Sequence, residues 1–181
     1  MHNNIKRTAS IMIAAMVLMI IPCGQIFART HIDTDKKCSI AVDIPDTWSD
    51  LNDVDFPVDL YRVADVDEND VYSAVDEFKE LKESIDAIGS KTTADDWEKI
   101  AQKAAGIVDE SSISADETIN VKNGKGSISG VKTGLYLVYA KEARSSRYGY
   151  TFVPYMVSAP NNEFAMTGSG SDSWIYDGIS I

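Results

Sequence analysis

Apolar residues in this chain follow two periods, and the order of those periods limits the fold. Cys38 to Ile44 (Cys-Ser-Ile-Ala-Val-Asp-Ile) alternates apolar and polar, the pattern of a half-buried strand, and stops at Pro45-Asp46. Asp46 to Asp55 is polar and carries Trp48 and Leu51 as candidate core plugs. Phe56 to Ala64 is a second strand. Its alternation slips near Leu60-Tyr61, which predicts a bulge or burial on both faces. The spacing then changes to steps of three and four. Val71, Val75, Phe78, Leu81, Ile85 and Ile88 make one stripe of a helix over about 71–88, with Gly89 as its stop. A second helix starts at Thr93, an N-cap residue followed by Asp95 and Asp96. It buries Trp97, Ile100, Ala101, Ala104, Ile107 and Val108.

After Ser114 the two-residue period returns. Ile119 and Val121 lead into Asn123-Gly124-Lys125-Gly126, a hairpin signal, and Ile128 and Val131 continue the return strand. Gly134 to Ala140 is apolar on both faces and reads as a central strand. Residues 143–147 form a turn. Tyr148, Tyr150 and Phe152 open a strand that runs through Pro154 to Val157, where the proline argues against a fully paired position. Thr167 to Ser173 is a Gly/Ser loop, and Trp174 to Ile181 is a last strand. Six or seven short strands with the helices grouped in one block predict a sandwich rather than alternating β-α-β units.

The first 28 residues have another purpose. Lys6 and Arg7 precede an apolar run from Ala9 to Ile21, broken by Pro22 and Gly24, and Ala28 follows Ile26-Phe27. This is the layout of a signal peptide cut after Ala28, with an apolar core shorter than the roughly 20 residues of a membrane helix. An uncleaved anchor is the alternative, and would be the chain's only link to a membrane. Cys23 suggests a lipoprotein cysteine, but Pro22 stands where a small residue is needed. The expected product is one domain, residues 29–181. The leader holds two of the 17 basic residues and none of the 28 acidic ones, so the product carries 15 − 28, or −13. Such a charge repels phosphate backbones and excludes nucleic acid as a partner. Only Cys38 survives cleavage, so no internal disulfide forms. Cys38 shares a strand face with Ile40, Val42 and Ile44 and reads as a small buried hydrophobe.

Several of these segments resemble a known family. Gly134-Leu135-Tyr136-Leu137-Val138, an aromatic strand ending in Pro, and Trp174-Ile175-Tyr176-Asp177 are similar to the closing half of a Gram-positive pilin-type, Cna-B-like (SpaA-like) cell-surface domain. Phe56 to Ala64 resembles its opening half. The resemblance implies a mainly β fold (α+β by content): an immunoglobulin-like, Cna-B-like β-sandwich, with the helices of about 71–110 as an insertion. It also implies a place in pilus shafts or adhesins, and often an internal Lys–Asn or Lys–Asp amide bond. That bond needs a buried neutral amine, a neighbouring carboxamide or carboxyl carbon, and a protonated acid. Lys36 and Lys37 stand where the lysine would lie. Tyr139 and Ala140 occupy the acid's usual place, with Glu142 displaced, and the last strand offers Asp177 and no Asn.

Other constellations point away from chemistry. Asp65, Asp67, Asn69, the Val71 carbonyl, Ser73 and Asp76 match the one, three, five, seven, nine and twelve positions of a calcium loop. The sixth position is Asp70 where Gly is needed, and the twelfth is Asp76 where a longer Glu is needed. The preferred reading is an acidic turn into a helix, with no metal. His2 lies in the leader and His31 two residues past the predicted N-terminus, where order is not expected, so no His-dependent catalytic pair forms. No catalytic residue, cofactor site or enzyme activity is assigned. Tyr148, Tyr150 and Phe152 share one strand parity, as do Trp174 and Tyr176; core pairing is the first explanation and a sugar-binding platform the second. The expected function is a secreted or cell-surface structural and adhesive module whose partners are other surface proteins, pilus subunits, or host matrix and glycans. The alternative is a secreted carbohydrate- or protein-binding module using an aromatic strand face.

Overall fold

A computed structural model describes residues 30–162 and 173–181. The leader, with Cys23 and the cleavage site, and residues 167–172 of the expected Gly/Ser loop lie outside the described residues.

Strands come first, then helices, then strands. They are β1 (Cys38–Asp43), β2 (Phe56–Val66), β3 (Tyr72–Ala74), β4 (Glu117–Val121), β5 (Lys125–Val131) and β6 (Gly134–Tyr139). β7 (Glu142–Arg144), β8 (Gly149–Thr151), β9 (Tyr155–Ala159), β10 (Asn161–Asn162), β11 (Trp174–Ile175) and β12 (Ile179–Ser180) follow. The helices are α1 (Ser49–Asn52), α2 (Lys82–Asp86) and α3 (Ala94–Ser111), with 3-10 turns at Asp46–Trp48 and Asp76–Leu81.

Two sheets face each other. One has the order β12-β1-β5, with β12 parallel to β1 and β5 antiparallel to it. The other has the order β3-β2-β6-β9, with β4 beside the first half of β2. Ile40, Val42, Val58, Leu60, Ile119, Val121, Tyr136 and Val138 fill the space between them. On the far side of the larger sheet, Tyr61, Val63, Leu135 and Leu137 pack against Phe78, Leu81, Ile85, Ile100, Ala101 and Ala104 of the helical block. The protein is thus a mainly β sandwich with helices laid on one outer face. β2 and β6 belong to both cores, which is why their sequences lack clean alternation. The slip read at Leu60-Tyr61 has both anticipated causes: burial on two faces, and a register shift between Arg62 and Ala64.

Local chemistry accounts for the turns. Asn123 and Gly124 both have positive φ, +49° and +73°, the backbone of a primed two-residue hairpin turn joining β4 to β5. Thr93 caps α3 reciprocally with Asp96: its hydroxyl accepts from the Asp96 amide and its own amide donates to the Asp96 carboxylate. The Thr93 hydroxyl also donates to the Asp96 carboxylate at 2.6 Å, and this bond together with the Thr93 amide holds the Asp96 carboxyl below its ordinary value. Gly134 has φ +154°, and a Cβ there would stand 2.6 Å from the Ala64 carbonyl oxygen.

Five expectations need correction. The first helix does not begin at Val71. Residues 72–74 pair with Ala64–Val66 as β3, and helical backbone starts at Asp76, so Phe78, Leu81 and Ile85 form the buried stripe, with Val75 and Ile88 half-buried against the same core. The tight turn at Asp67–Asp70 folds the chain back onto β2 before a helix can start. The strand drawn through Pro154 is two strands, β8 and β9, with 152–154 unpaired between them, since proline cannot donate to a ladder. The last strand is broken by Gly178 (φ +72°) into β11, paired with β10, and β12, paired with β1. Leu51 is buried, but Trp48 is 59% exposed. The Trp48 amide donates to the Pro45 carbonyl, and that turn directs Leu51 inward instead. Finally, the segment around His31 is ordered. Ile32 is buried and its amide donates to the Glu68 carbonyl at 3.0 Å, while the Trp174 indole N–H donates to the Thr30 carbonyl.

Candidate functional site

The residues expected for an internal amide bond stay at the surface, and Glu142 does not join the lysines. Lys36 is exposed, with its ammonium 4.2 Å from the centre of the Tyr176 ring, a cation–π contact. Lys37 and Asp177 are also exposed. Glu142 lies on β7 at the opposite end of the sandwich, paired with Arg144 at 3.0 Å. Among the described residues no lysine, aspartate or glutamate is buried; the buried polar side chains are Thr133 and Asn162. The chemistry of such a bond needs burial, and none of these side chains has it.

Nearby, the Tyr176 hydroxyl accepts from the Asp33 amide at 2.7 Å, and the Ser39 amide donates to the Tyr176 carbonyl at 2.8 Å. These bonds tie the link between β11 and β12 to β1 and to the N-terminal segment. Cys38 is buried beneath them. Burial, reinforced by the Asp177 charge, pushes its thiol up to about 11, so it is the inert core thiol the strand pattern predicts.

The acidic run 65–76 spends its donors on the fold. The Asp67 carboxylate accepts from the amides of Asn69 (2.8 Å) and Val71 (2.9 Å), which lowers its pKa. Asp65 pairs with Arg62, and Ser73 lies on β3. A calcium loop needs these groups turned toward one centre, and a β-hairpin spreads them along a strand.

The aromatic stripe divides. Phe152 stacks on Phe56, with ring centres 5.0 Å apart and planes at 20°, and so belongs to the core. Tyr150 is half-buried, and Tyr148 meets it edge-on while remaining 56% exposed. Tyr176 is buried, and Trp174 is half-buried.

The most developed concavity is one that strand patterns do not reveal. β9 ends the order of the larger sheet, and among the described residues no strand pairs with its outer edge. Between that edge and the start of α3 runs a groove of about 970 Å³, whose lining includes Tyr72, Trp97, Val153, Tyr155, Met156 and Trp174 together with Asp70 and Glu98. Val153 and Tyr155 are exposed there, at 67% and 42%. The groove draws on several separate segments, so only the tertiary fold assembles it. The one sequence signal was Pro154, which frees Val153 from pairing.

No family model and no curated protein matches the chain. Among solved structures it is similar to the full-length major pilin SpaD from Corynebacterium diphtheriae, with 20% identity and a TM-score of 0.46, covering 84% of this chain and 30% of that one. It is also similar to the fimbrial protein FimP from Actonomyces oris, with 17% identity and a TM-score of 0.42, again covering 84% of this chain and 30% of that one. The chain therefore spans about 30% of the length of the solved structures it matches.

Proposed function

We propose that this chain is a secreted or cell-surface structural and adhesive module, resembling a subunit domain of a Gram-positive pilin, that acts through its surfaces and not as an enzyme. The observation that carries this reading is the content of the interior. Both cores are apolar: one fills the sandwich between the two sheets, and the other seats the helical block on the larger sheet. The segments that carry the family resemblance support it too: Phe56 to Ala64 and Gly134 to Val138 are paired neighbours at the middle of the larger sheet. On this reading residues 29–181 form one domain, released by cleavage after Ala28, and its partners are other surface proteins, pilus subunits, or host matrix and glycans. Immunoblotting of culture medium and cell-wall fractions tests it. Retention in the wall fraction, as species larger than the monomer that survive boiling in detergent, is the expected result. Recovery only as a monomer in the medium would reject the structural role.

One observation favours a second reading, capture of a peptide or glycan: the groove beside β9 presents Trp97, Tyr155 and Trp174 next to a sheet edge that no strand among the described residues pairs with. If that reading holds, Tyr155→Ala abolishes retention on a matrix or glycan column while leaving the melting temperature close to that of the parent.

A further inference from the structure

Charge is distributed unevenly at the end of the sandwich where β1 and β6 finish. The loop from β1 to β2 carries Asp46, Asp50, Asp53 and Asp55 and has no basic residue between Asp43 and Asp59. The β7–β8 hairpin and its lead-in carry Lys141, Arg144 and Arg147 against a single acid, Glu142. The two meet across an open polar cleft of about 470 Å³, with Asp50, Asp53 and Asp55 on one wall and Arg144 and Arg147 on the other. Among the described residues no ion pair joins the walls; Arg144 pairs instead with Glu142 on its own strand, and both side chains are largely exposed. Close in sequence to the two walls stand two exposed large side chains, Trp48 two residues before Asp50 and Tyr148 directly after Arg147.

From this juxtaposition we infer that the cleft is a self-complementary surface through which two copies of the chain pair about a two-fold axis. The hairpin of each copy lies against the aspartate wall of the other. Opposite charges side by side on one surface satisfy the isologous condition: Arg144 and Arg147 of one copy meet Asp50, Asp53 and Asp55 of the second, and the reverse contact follows from the symmetry. Exposed Trp, Tyr and Arg side chains are the types that carry interface energy once water is excluded. The net charge of the secreted chain, 15 − 28 or −13, makes two copies repel at long range. That repulsion is screened beyond about 8 Å in physiological salt, whereas the cleft pairs act at contact. A second copy fits better than an acidic polymer, because such a polymer would satisfy the hairpin and be repelled by the aspartate wall. The inference is separate from the proposed surface role, since it concerns association of the purified chain in solution.

Sedimentation of the secreted chain across a concentration series tests it through charge exchange. The parent is expected to dimerise. Arg144→Glu with Arg147→Glu, and separately Asp50→Lys with Asp53→Lys, each weaken self-association at least about tenfold, because hairpin and cleft then carry like charge. An equimolar mixture of the two double variants restores the dimer, since each reversed hairpin now faces a reversed wall. That recovery also shows that both variants are folded. A parent that stays monomeric throughout, a dimer that survives either reversal, or a mixture that does not recover each overturns the inference.

Discussion

The rings of Phe56 and Phe152 lie stacked with centres 5.0 Å apart, joining the start of β2 to the segment between β8 and β9. This contact turns part of the aromatic stripe inward and removes it from any ligand face. Phe56 is buried, so Phe56→Ala is expected to destabilise the fold by about 3–5 kcal/mol, with the half-buried Phe152→Ala costing less. The shift in urea midpoint measures both. Equal and negligible effects would return the stripe to the surface.

Gly134 sits where β6 begins, beside the register shift in β2. Its φ of +154° and the 2.6 Å approach to the Ala64 carbonyl leave no space for a side chain. Gly134→Ala should therefore cost roughly 1–3 kcal/mol, read as a lowered melting temperature. Gly106, whose added Cβ would meet nothing within 4 Å, is the control: Gly106→Ala is expected to be neutral or stabilising, as suits the interior of α3.

The capping box of α3 makes a pH prediction. Hydrogen bonds from Thr93 depress the Asp96 carboxyl. A depressed acid contributes stability above its unfolded pKa and loses it as pH falls through the folded value. Acid titration of stability below about pH 4 should thus be shallower in Asp96→Asn than in the parent. Thr93→Ala should cost about 1 kcal/mol at neutral pH.

Cys38 yields the opposite sign. Its thiol is raised to about 11, so burial of the neutral form contributes stability that is full below the unfolded thiol pKa and is lost as pH rises toward 11. At pH 8 a disulfide reagent should label Cys38 only as fast as the fold opens, and denaturant should make labelling rapid. Rapid labelling of the native chain would place the thiol at the surface.

An intact-mass measurement addresses the internal amide bond. Lys36 is held over Tyr176 in solvent, and the displaced acid Glu142 lies at the opposite end of the sandwich. The mature chain should weigh what its sequence weighs. A deficit of one ammonia or one water would mean that a lysine has reacted.

How far the sequence foretold these features depends on whether the deciding interactions were local. The Thr93 cap, the Asn123-Gly124 turn and the alternation Cys38–Ile40–Val42 all depend on neighbours within a few residues, and all stand in the fold. Val71 failed because its helical spacing competed with the Asp67 turn, whose hydrogen bonds reverse the chain and commit Tyr72–Ala74 to β2. Trp48 failed because hydrophobicity does not say which of two nearby apolar residues a turn will bury. The charged cleft and the β9 groove were invisible for the same physical reason. Each joins segments roughly 80 residues or more apart, as with Asp50 and Arg144, or Tyr72 and Tyr155. No window along the chain brings such segments together.

Immunogold electron microscopy of intact, unpermeabilised cells, using antibody to residues 30–162, tests the central claim most directly. The account predicts dense label at the outer surface, on the wall or on fibres extending from it, and none inside sectioned cells beyond the export background. Label confined to the cytoplasm, or a bare surface with all of the protein free in the medium, would contradict it.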